Sequence, residues 1–273
     1  AEIVILLVIN SVEKLIVGLE SFYDVLTSIE KIGQVVDKEL ESQGGESPTF
    51  KDGLSIELEK VTFSVKDKLT PIINNISLKI EDKSRILITG ESGSGKSSLL
   101  RLIAGIIEPT EGNIYVNNLS LKSLYLNHYR SQLGLSLSEE TTFEGTLREN
   151  LIFSNDKSKD EIIFKVLTAI GLSQFLREQL NGLDTILYPE GKQMSYTISK
   201  KIILARAIIK QPKVLILEDP LDQFNSDESA KIIEYLTGKE RPWALVVVSN
   251  KKSWITKCSQ IVILEQGEIK YKN

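Results

Sequence analysis

The hydrophobic pattern of the chain changes once, near residue 54. Before that point, apolar residues recur at alternating steps of three and four, which predicts a helix with one apolar face. These residues are Val12, Leu15, Leu19, Phe22, Leu26 and Ile29. An apolar run at residues 3–9 precedes them and is too short to span a bilayer, which needs about 20 residues. The pattern predicts one continuous helix over residues 1–40 that projects away from the rest of the chain.

On composition alone, two interpretations of this helix stay open. It packs on its own domain through its apolar side, or it is the end of a transmembrane helix that runs into the cytosol. Residues 42–48 (SQGGESP) contain turn formers and no apolar residue, so they predict a linker. The chain begins with Ala1 and its only methionine is Met194, so we expect a fragment of a longer protein.

From about Leu54, short apolar runs alternate with helical stretches, which predicts an α/β fold. Three runs are almost wholly apolar, as expected of parallel strands covered on both faces. The earliest strands mix apolar and charged residues, which predicts an antiparallel, half-exposed layer. The predicted strands are Ser55–Phe63, Ile76–Ile80, Ile86–Thr89, Ile114–Val116, Val214–Leu217, Leu245–Val248 and Ile261–Leu264. The predicted helices are Ser97–Ala104, Asp160–Ile170 and Ser199–Lys210, the second with a capping-box pattern of Ser158 and Glu161.

Composition excludes several classes of function. A content of 41% hydrophobic and 26% charged residues is that of an ordinary globular protein. The net charge of −4 argues against nucleic-acid binding, which needs a basic surface. The single cysteine, Cys258, excludes an internal disulfide, and the single histidine, His128, excludes a histidine-based metal site. We interpret both as structural residues.

The strongest motif is GESGSGKS at residues 90–97, which matches G-x-x-x-x-G-K-[ST] at every fixed position. An apolar strand precedes it and a helix-forming run follows, a context that disfavours a chance glycine-rich turn. The glycines let backbone N–H groups turn inward around phosphates, and the helix N-terminus adds positive potential. We expect Lys96 to reach the β- and γ-phosphates of ATP and Ser97 to ligate Mg²⁺. The residues predicted to bind nucleotide are Gly90, Glu91, Ser92, Gly93, Ser94, Gly95, Lys96, Ser97 and Ser98.

A second candidate lies downstream, where the apolar run VLIL ends in Glu218 and Asp219. Carboxylates at the end of a strand beside a phosphate loop can hold Mg²⁺ and an attacking water. The alternative is a solvated acidic pair in the turn before Pro220. The phosphate loop favours the functional interpretation.

From about Leu54 to Ile269, the chain resembles the nucleotide-binding domain of ABC transporters of the exporter type. Besides the loop, the stretches that carry the resemblance are Thr146–Leu151 (TLRENL), Gly182–Thr185 (GLDT), Ile202–Ala207 (IILARA) and Gln266–Ile269 (QGEI). The resemblance implies an α/β fold: a P-loop NTPase core with a parallel sheet, an antiparallel β-layer and a helical subdomain, preceded by a long N-terminal helix. It divides the chain into 1–47, the end of the last transmembrane helix with its cytosolic extension and linker, and 48–273, the nucleotide-binding domain.

The same resemblance assigns roles to residues of this chain. The implied catalytic residues are Lys96, Asp219 and Asn250, the implied Mg²⁺ ligands are Ser97, Glu218 and Ser138, and Ser195 is a further nucleotide contact. Several positions depart from the family pattern. The departures are Val65 for the adenine-stacking tyrosine, Ser138 for the Q-loop glutamine, Tyr196 and Thr197 for two signature glycines, Asn225 for the D-loop aspartate and Asn250 for the switch histidine. The family's Asp-Glu pair is reversed as Glu218-Asp219.

These departures predict that binding survives while hydrolysis is slow. Asp219 is one methylene shorter than the glutamate of the family, and a displacement near 1 Å can cost on the order of 100-fold in rate. Asn250 can donate a hydrogen bond to the γ-phosphate but carries no charge. Ser138 is too short to bridge as a glutamine does.

The resemblance therefore implies an exporter's ATP-binding domain at the cytoplasmic face of the cell membrane. It would couple Mg-ATP binding, with slow or partner-assisted hydrolysis, to transmembrane transport. The implied partners are a second nucleotide-binding domain, identical or different, and the transmembrane domain of the same longer chain, with no nucleic acid. The alternative is a catalytically weak, ATP-gated dimerisation or regulatory module that does not drive transport. A P-loop small-molecule kinase is disfavoured, since no acceptor-site motif or lid arginine cluster is evident.

Overall fold

A computed structural model describes residues 2–37, 40–41, 44–51, 53–65, 70–153, 160–191 and 194–272. The chain forms two compact units, Ala1–Gln43 and Gly44–Asn273. The division after residue 47 that the sequence suggests stays a prediction. Ser158, the proposed cap of the second predicted helix, lies outside the described residues.

The first unit is one long helix, α1 (Glu2–Val36). Its apolar residues from Val12 to Ile29 share one face, because steps of three and four return to the same side of a helix. The helix is continuous, as predicted, but it ends at Val36 rather than at residue 40. In the part of the chain that the structure describes, no helix is both long and apolar enough to cross a membrane.

The second unit alternates strands and helices. Its strands are β1 (Ile56–Phe63), β2 (Ile73–Ile80), β3 (Arg85–Thr89), β4 (Glu111–Val116), β5 (Leu119–Ser120), β6 (Leu133–Ser136), β7 (Gly145–Thr146), β8 (Ile186–Leu187), β9 (Val214–Glu218), β10 (Ala244–Val248), β11 (Gln260–Glu265) and β12 (Glu268–Lys272). Its α-helices are α2 (Lys96–Ile103), α3 (Leu126–Ser131), α4 (Leu147–Ile152), α5 (Asp160–Ala169), α6 (Ser173–Glu178), α7 (Tyr196–Ile209) and α8 (Ser226–Leu236).

Two larger sheets organise these elements. The main sheet has the order β12-β11-β3-β10-β9-β6, and its strands are parallel except for β12 at the edge. The other sheet has the order β2-β1-β4-β5 and is antiparallel throughout. The predicted parallel core and antiparallel layer are both confirmed.

The main sheet separates two hydrophobic cores, because successive side chains of a strand point to opposite faces. In β9, Val214 and Ile216 enter the core shared with the antiparallel sheet and α2. Leu215 and Leu217 enter the core shared with the helices α4, α5, α7 and α8. Every residue of β9 is buried, which explains its nearly unbroken apolar sequence. The arrangement leaves the carboxyl ends of β3, β9 and β10 side by side.

Several predicted bounds were wrong in detail. Strand β6 was not predicted, because its sequence LGLS is short and contains a glycine. That glycine, Gly134, is required by packing: a Cβ there would lie 2.4 Å from the carbonyl oxygen of Ala207. Helix α7 begins at Tyr196 rather than Ser199, because the Ser195 side chain caps it by accepting from the Ile198 amide.

His128 and Cys258 have the surroundings of structural residues. His128 Nε2 lies 2.8 Å from the Pro48 carbonyl oxygen, and its ring stacks on Phe50 at 5.7 Å between centroids. Cys258 is half-buried, and burial raises the pKa of its thiol to about 11. A thiol with a raised pKa is a poor nucleophile at neutral pH.

Candidate functional site

The phosphate loop lies between the buried end of β3 and the first turn of α2. Gly90 and Gly95 have φ values of 150° and 100°. A Cβ at Gly90 would lie 2.1 Å from the Leu264 carbonyl oxygen, and one at Gly95 would lie 2.7 Å from that of Ile72. Glycine is therefore needed at both positions for conformation and for space. Between them, Glu91, Ser92 and Gly93 are exposed at the loop's tip.

The side chain of Lys96 arches back over this loop. Its Nζ donates to the carbonyl oxygens of Gly90 at 2.9 Å and Glu91 at 2.6 Å, and it lies 3.4 Å from Ser94 Oγ. Three contacts fix the ammonium group at the mouth of the loop. The remaining loop position, Ser98, lies in the first turn of α2 and is half-buried.

Ser97 and Ser138 meet at the carboxylate of Glu218, which ends β9. Ser97 Oγ donates to Glu218 Oε1. The Ser138 amide and hydroxyl donate to Glu218 Oε2 at 3.1 and 3.0 Å. Only 6% of Glu218 is exposed. Burial opposes its ionisation, but the hydrogen bonds from both serines outweigh burial and lower the pKa of Glu218.

This group of atoms suits a hard divalent cation. Mg²⁺ takes oxygen ligands, and it is held by one or two carboxylates together with substrate phosphates rather than by a full protein cage. Here the donors are a carboxylate kept ionised and two hydroxyls, one of them in the phosphate loop. The described residues contain no cluster of three His, Cys, Asp or Glu side chains that could hold a metal.

Asp219 lies immediately beyond β9 with its backbone fixed. Its amide donates to the Val248 carbonyl oxygen at 2.9 Å, and its φ is 41°. Burial raises the pKa of Asp219, and the charges of Glu218 and Asp222 raise it further, against the attraction of Lys96 and Lys200. The carboxyl group is therefore a better proton acceptor than the side chain of an ordinary aspartate. The positive charge of Lys96 acts on it.

Asn250 follows the end of β10, next to β3 in the sheet. Thr89 Oγ1 donates to Asn250 Oδ1 at 2.9 Å, so the last residue of β3 orients the amide. Thr89 also directly precedes the phosphate loop. The end of β10 and the start of the loop are thereby joined by one hydrogen bond.

Comparison with known proteins decides the family. The ABC transporter family model matches residues 73–222, which is more than half of the chain. The chain belongs to the ABC transporter family. A putative export ATP-binding/permease protein of Rickettsia bellii is 28% identical over 246 residues, which are 89% of this chain and 43% of that protein. The Bacillus subtilis ABC transporter ATP-binding protein YfiB is 28% identical over 242 residues, or 88% of this chain and 42% of YfiB.

A solved structure confirms the fold. A bacterial Atm1-family ABC exporter with ATP bound superposes with a TM-score of 0.81 at 20% sequence identity. The match covers 91% of this chain and 44% of the exporter chain. The resemblance to exporter-type nucleotide-binding domains is thus confirmed, and the chain spans less than half the length of the curated relatives it matches.

Ser195, Tyr196 and Thr197, which the family resemblance aligns with the signature motif of ABC domains, lie at the start of α7. Ser195 is exposed, and its hydroxyl is 3.1 Å from Thr197 Oγ1. Within the described residues, the hydrogen bonds of Ser195 stay inside this helix start and do not join it to the phosphate loop. Burial raises the pKa of Tyr196, and the negative charges of Asp222 and Asp219 raise it further.

Two further positions bear on nucleotide contact. Val65, at the position where the family resemblance places a stacking tyrosine, is an exposed aliphatic residue. The nearby Phe63 is partly buried and packs against the hydrophobic core. Asn225, at the D-loop position, caps α8 by accepting from the Glu228 amide at 2.8 Å.

Sequence reasoning missed three residues that shape the site. Thr89 orients Asn250, Arg101 acts electrostatically on Glu218, and Lys200 faces the carboxylates from α7. Of the three, Lys200 carried a visible signal, which it shares with Lys201 and Arg206: these charges stand out among the apolar residues of α7. The other two depend on contacts between segments far apart in sequence.

Proposed function

We propose that this chain binds Mg-ATP at Gly90–Ser98 and is the ATP-binding domain of an exporter at the cytoplasmic face of the cell membrane. ATP binding, with slow or partner-assisted hydrolysis, is coupled to transport by a membrane domain. The observation that carries the proposal is the placement of Lys96, whose ammonium group is held at the mouth of a glycine loop. That group and the N-terminus of α2 supply the positive charge that a triphosphate requires.

Each residue of the site has a role in this function. Lys96 binds the β- and γ-phosphates, and the α2 N-terminus adds its partial positive charge. Mg²⁺, when bound, would neutralise phosphate charge, and Ser97, Ser138 and Glu218 would hold it. Asp219 orients the attacking water and accepts its proton. Asn250 donates a hydrogen bond to the γ-phosphate.

Slow hydrolysis follows from the departures from the family pattern at Asp219 and Asn250, the residues that act on the γ-phosphate and its attacking water. Asp219 is held by its backbone, so its short side chain cannot advance toward the γ-phosphate. Asn250 supplies an amide where a histidine could supply charge. These groups act on the transition state, whereas Lys96 and the loop act on the bound ground state.

The proposed partners are a second nucleotide-binding domain and a transmembrane domain of the same longer chain. The relatives that support this are named as export ATP-binding/permease proteins, and the chain spans 43% of the one from Rickettsia bellii. In a dimer, the exposed Ser195 at the start of α7 would contact the nucleotide of the other domain.

The test is Lys96→Ala in the full-length protein, with ATP affinity measured by calorimetry in Mg²⁺. Loss of a charge-assisted contact is expected to weaken binding by about tenfold or more. The matched control is Lys79→Ala, which removes an exposed lysine paired with Glu81 on β2 and is expected to leave affinity unchanged. Equal affinity of Lys96→Ala and wild type for ATP would refute the proposed site.

A further inference from the structure

Lys200 is a buried lysine beside the proposed site. Only 8% of it is exposed, in the first turns of α7. Its Nζ donates to the Ser138 carbonyl oxygen at 2.8 Å and lies 5.7 Å from the centroid of the Tyr196 ring. Because Ser138 also donates to Glu218, the ammonium group is separated by one residue from the carboxylate that ends β9.

The charges around Lys200 are mostly negative. The carboxyl groups that attract it are Glu140, Glu218, Asp222 and Asp219. The other cations acting on the same carboxyl groups are Lys96, on Asp219, Arg101, on Glu218, and Arg206 and Lys210, on Glu140. Arg101 is bound to the carboxylate of Glu139, so part of its charge is already compensated. Lys200 donates to a neutral carbonyl instead, which leaves its charge to act on the acidic groups.

We propose that Lys200 is the internal counter-ion of the acidic edge formed by Glu218, Asp219 and Asp222, and that it weakens divalent-cation binding there. The inference rests on the proposed function, since the cation concerned is the one that accompanies ATP. A fixed ammonium group stabilises clustered carboxylates when no metal is bound. The same group repels an incoming cation, because both positive charges act at short range in a partly buried region.

The test uses Mn²⁺ as the probe, titrated into the full-length protein while free Mn²⁺ is followed by electron paramagnetic resonance. Lys200→Met and Lys200→Gln remove the charge, and Lys200→Arg keeps it. We expect both neutral variants to bind Mn²⁺ about three- to tenfold more tightly than wild type. Lys200→Arg is expected to bind as wild type does. The same titrations are repeated with a non-hydrolysable ATP analogue present.

The neighbouring Lys201 provides a matched control. It is equally buried, with 6% exposed, but it pairs with Glu228 and donates to the Gly171 carbonyl oxygen at 3.0 Å. Lys201→Met is expected to leave Mn²⁺ affinity unchanged. Tightening by Lys201→Met equal to that of Lys200→Met would overturn the proposal, because it would show a general relaxation of α7.

The two neutral variants also separate charge from tethering. Glutamine keeps a donor for the Ser138 carbonyl group, and methionine does not. If the charge of Lys200 is what matters, both variants are expected to bind Mn²⁺ more tightly by the same factor. Unchanged or weaker Mn²⁺ binding in both, or a change in the Met variant alone, would overturn the proposal. If thermal unfolding shows that Lys200→Met does not fold, Lys200→Gln against wild type decides the question. Failure of wild type to bind a fluorescent ATP analogue would refute the proposed function instead, and that measurement is independent of Mn²⁺.

Discussion

Lengthening Asp219 by one methylene directly tests the proposal that hydrolysis is slow. The backbone of this residue is held on both sides: its amide donates to Val248 at 2.9 Å, and its carbonyl oxygen accepts from the Asp222 amide at 3.2 Å. Its φ of 41° leaves little freedom to shift. The carboxylate can therefore move toward the γ-phosphate only through a longer side chain, as in Asp219→Glu.

The size of the effect follows from the distance gained. One methylene moves the carboxylate forward by roughly 1 Å, and a misplacement of that size costs on the order of 100-fold in rate. At about 1.4 kcal/mol for each tenfold, this is about 2.7 kcal/mol of transition-state stabilisation. We expect Asp219→Glu to raise turnover by up to about 100-fold. Some stability is lost, since glutamate tolerates a left-handed backbone less well than aspartate does.

Asn250→His addresses the second group at the γ-phosphate. The Asn250 amide is already oriented by Thr89, so a side chain in this place lies at the start of the phosphate loop. A histidine adds a group that can carry positive charge as negative charge develops. The gain in the double variant need not equal the product of the single gains, because groups that act as a unit are not independent.

The assay is phosphate release by the full-length, membrane-embedded protein. It compares wild type with Asp219→Glu, Asn250→His and the double variant. Asp227→Glu is the control, because it lengthens an exposed aspartate in the first turn of α8 by the same methylene and is expected to change nothing. A wild-type rate in the ordinary range of about 1–1000 per second, abolished by Lys96→Ala, would refute the reasoning.

Two further predictions concern stability. Tyr129→Phe removes a fully buried hydroxyl that donates to the Ile103 carbonyl oxygen at 2.6 Å. It is expected to cost about 1–3 kcal/mol in urea unfolding, and an unchanged midpoint would contradict the assignment. Burial and the charges of Glu218 and Asp222 raise the pKa of Asp219 above its ordinary 3.8. The folded state therefore binds this proton more tightly than the unfolded state does. As a result, the free energy of unfolding falls as the pH rises from 3.8 through the raised pKa of the folded state. Asp219→Asn is therefore expected to be more stable than wild type at pH 7, with the gain vanishing below pH 3.8; equal unfolding curves at both pH values would contradict this.

The central strands and the phosphate loop could be predicted because their signals are local. Strands β9 and β10 are buried on both faces. They therefore need apolar side chains at nearly every position, which gives an unbroken apolar run in the sequence. The loop motif likewise fixes its glycines and lysine within eight positions. The first residue of α7 was also predictable, since Ser195 is a typical N-cap.

The remaining features depend on contacts between distant segments. Strand β6 contains Gly134 because Ala207 of α7 approaches it closely, and a glycine in so short a strand lowers its apparent strand propensity. Lys200 finds its partner Ser138 at a distance of 62 positions in the sequence. A charge on a buried helix face signals that a partner exists, and only the tertiary structure identifies the partner.

The contacts of the site divide according to the state of the nucleotide that they serve. Those that hold a ground-state triphosphate are complete: the glycines have the backbone conformations that the loop requires, and Lys96 is fixed at its mouth. The side chains proposed to act on the transition state are shorter than in the family, as at Asp219, or uncharged, as at Asn250. Interactions that are equally strong in the ground and transition states tighten binding without raising the catalytic rate. Under the proposed function, a site with this division holds ATP for longer than an ordinary ATPase takes to cleave it, and the domain transmits nucleotide occupancy, rather than turnover, to its partners.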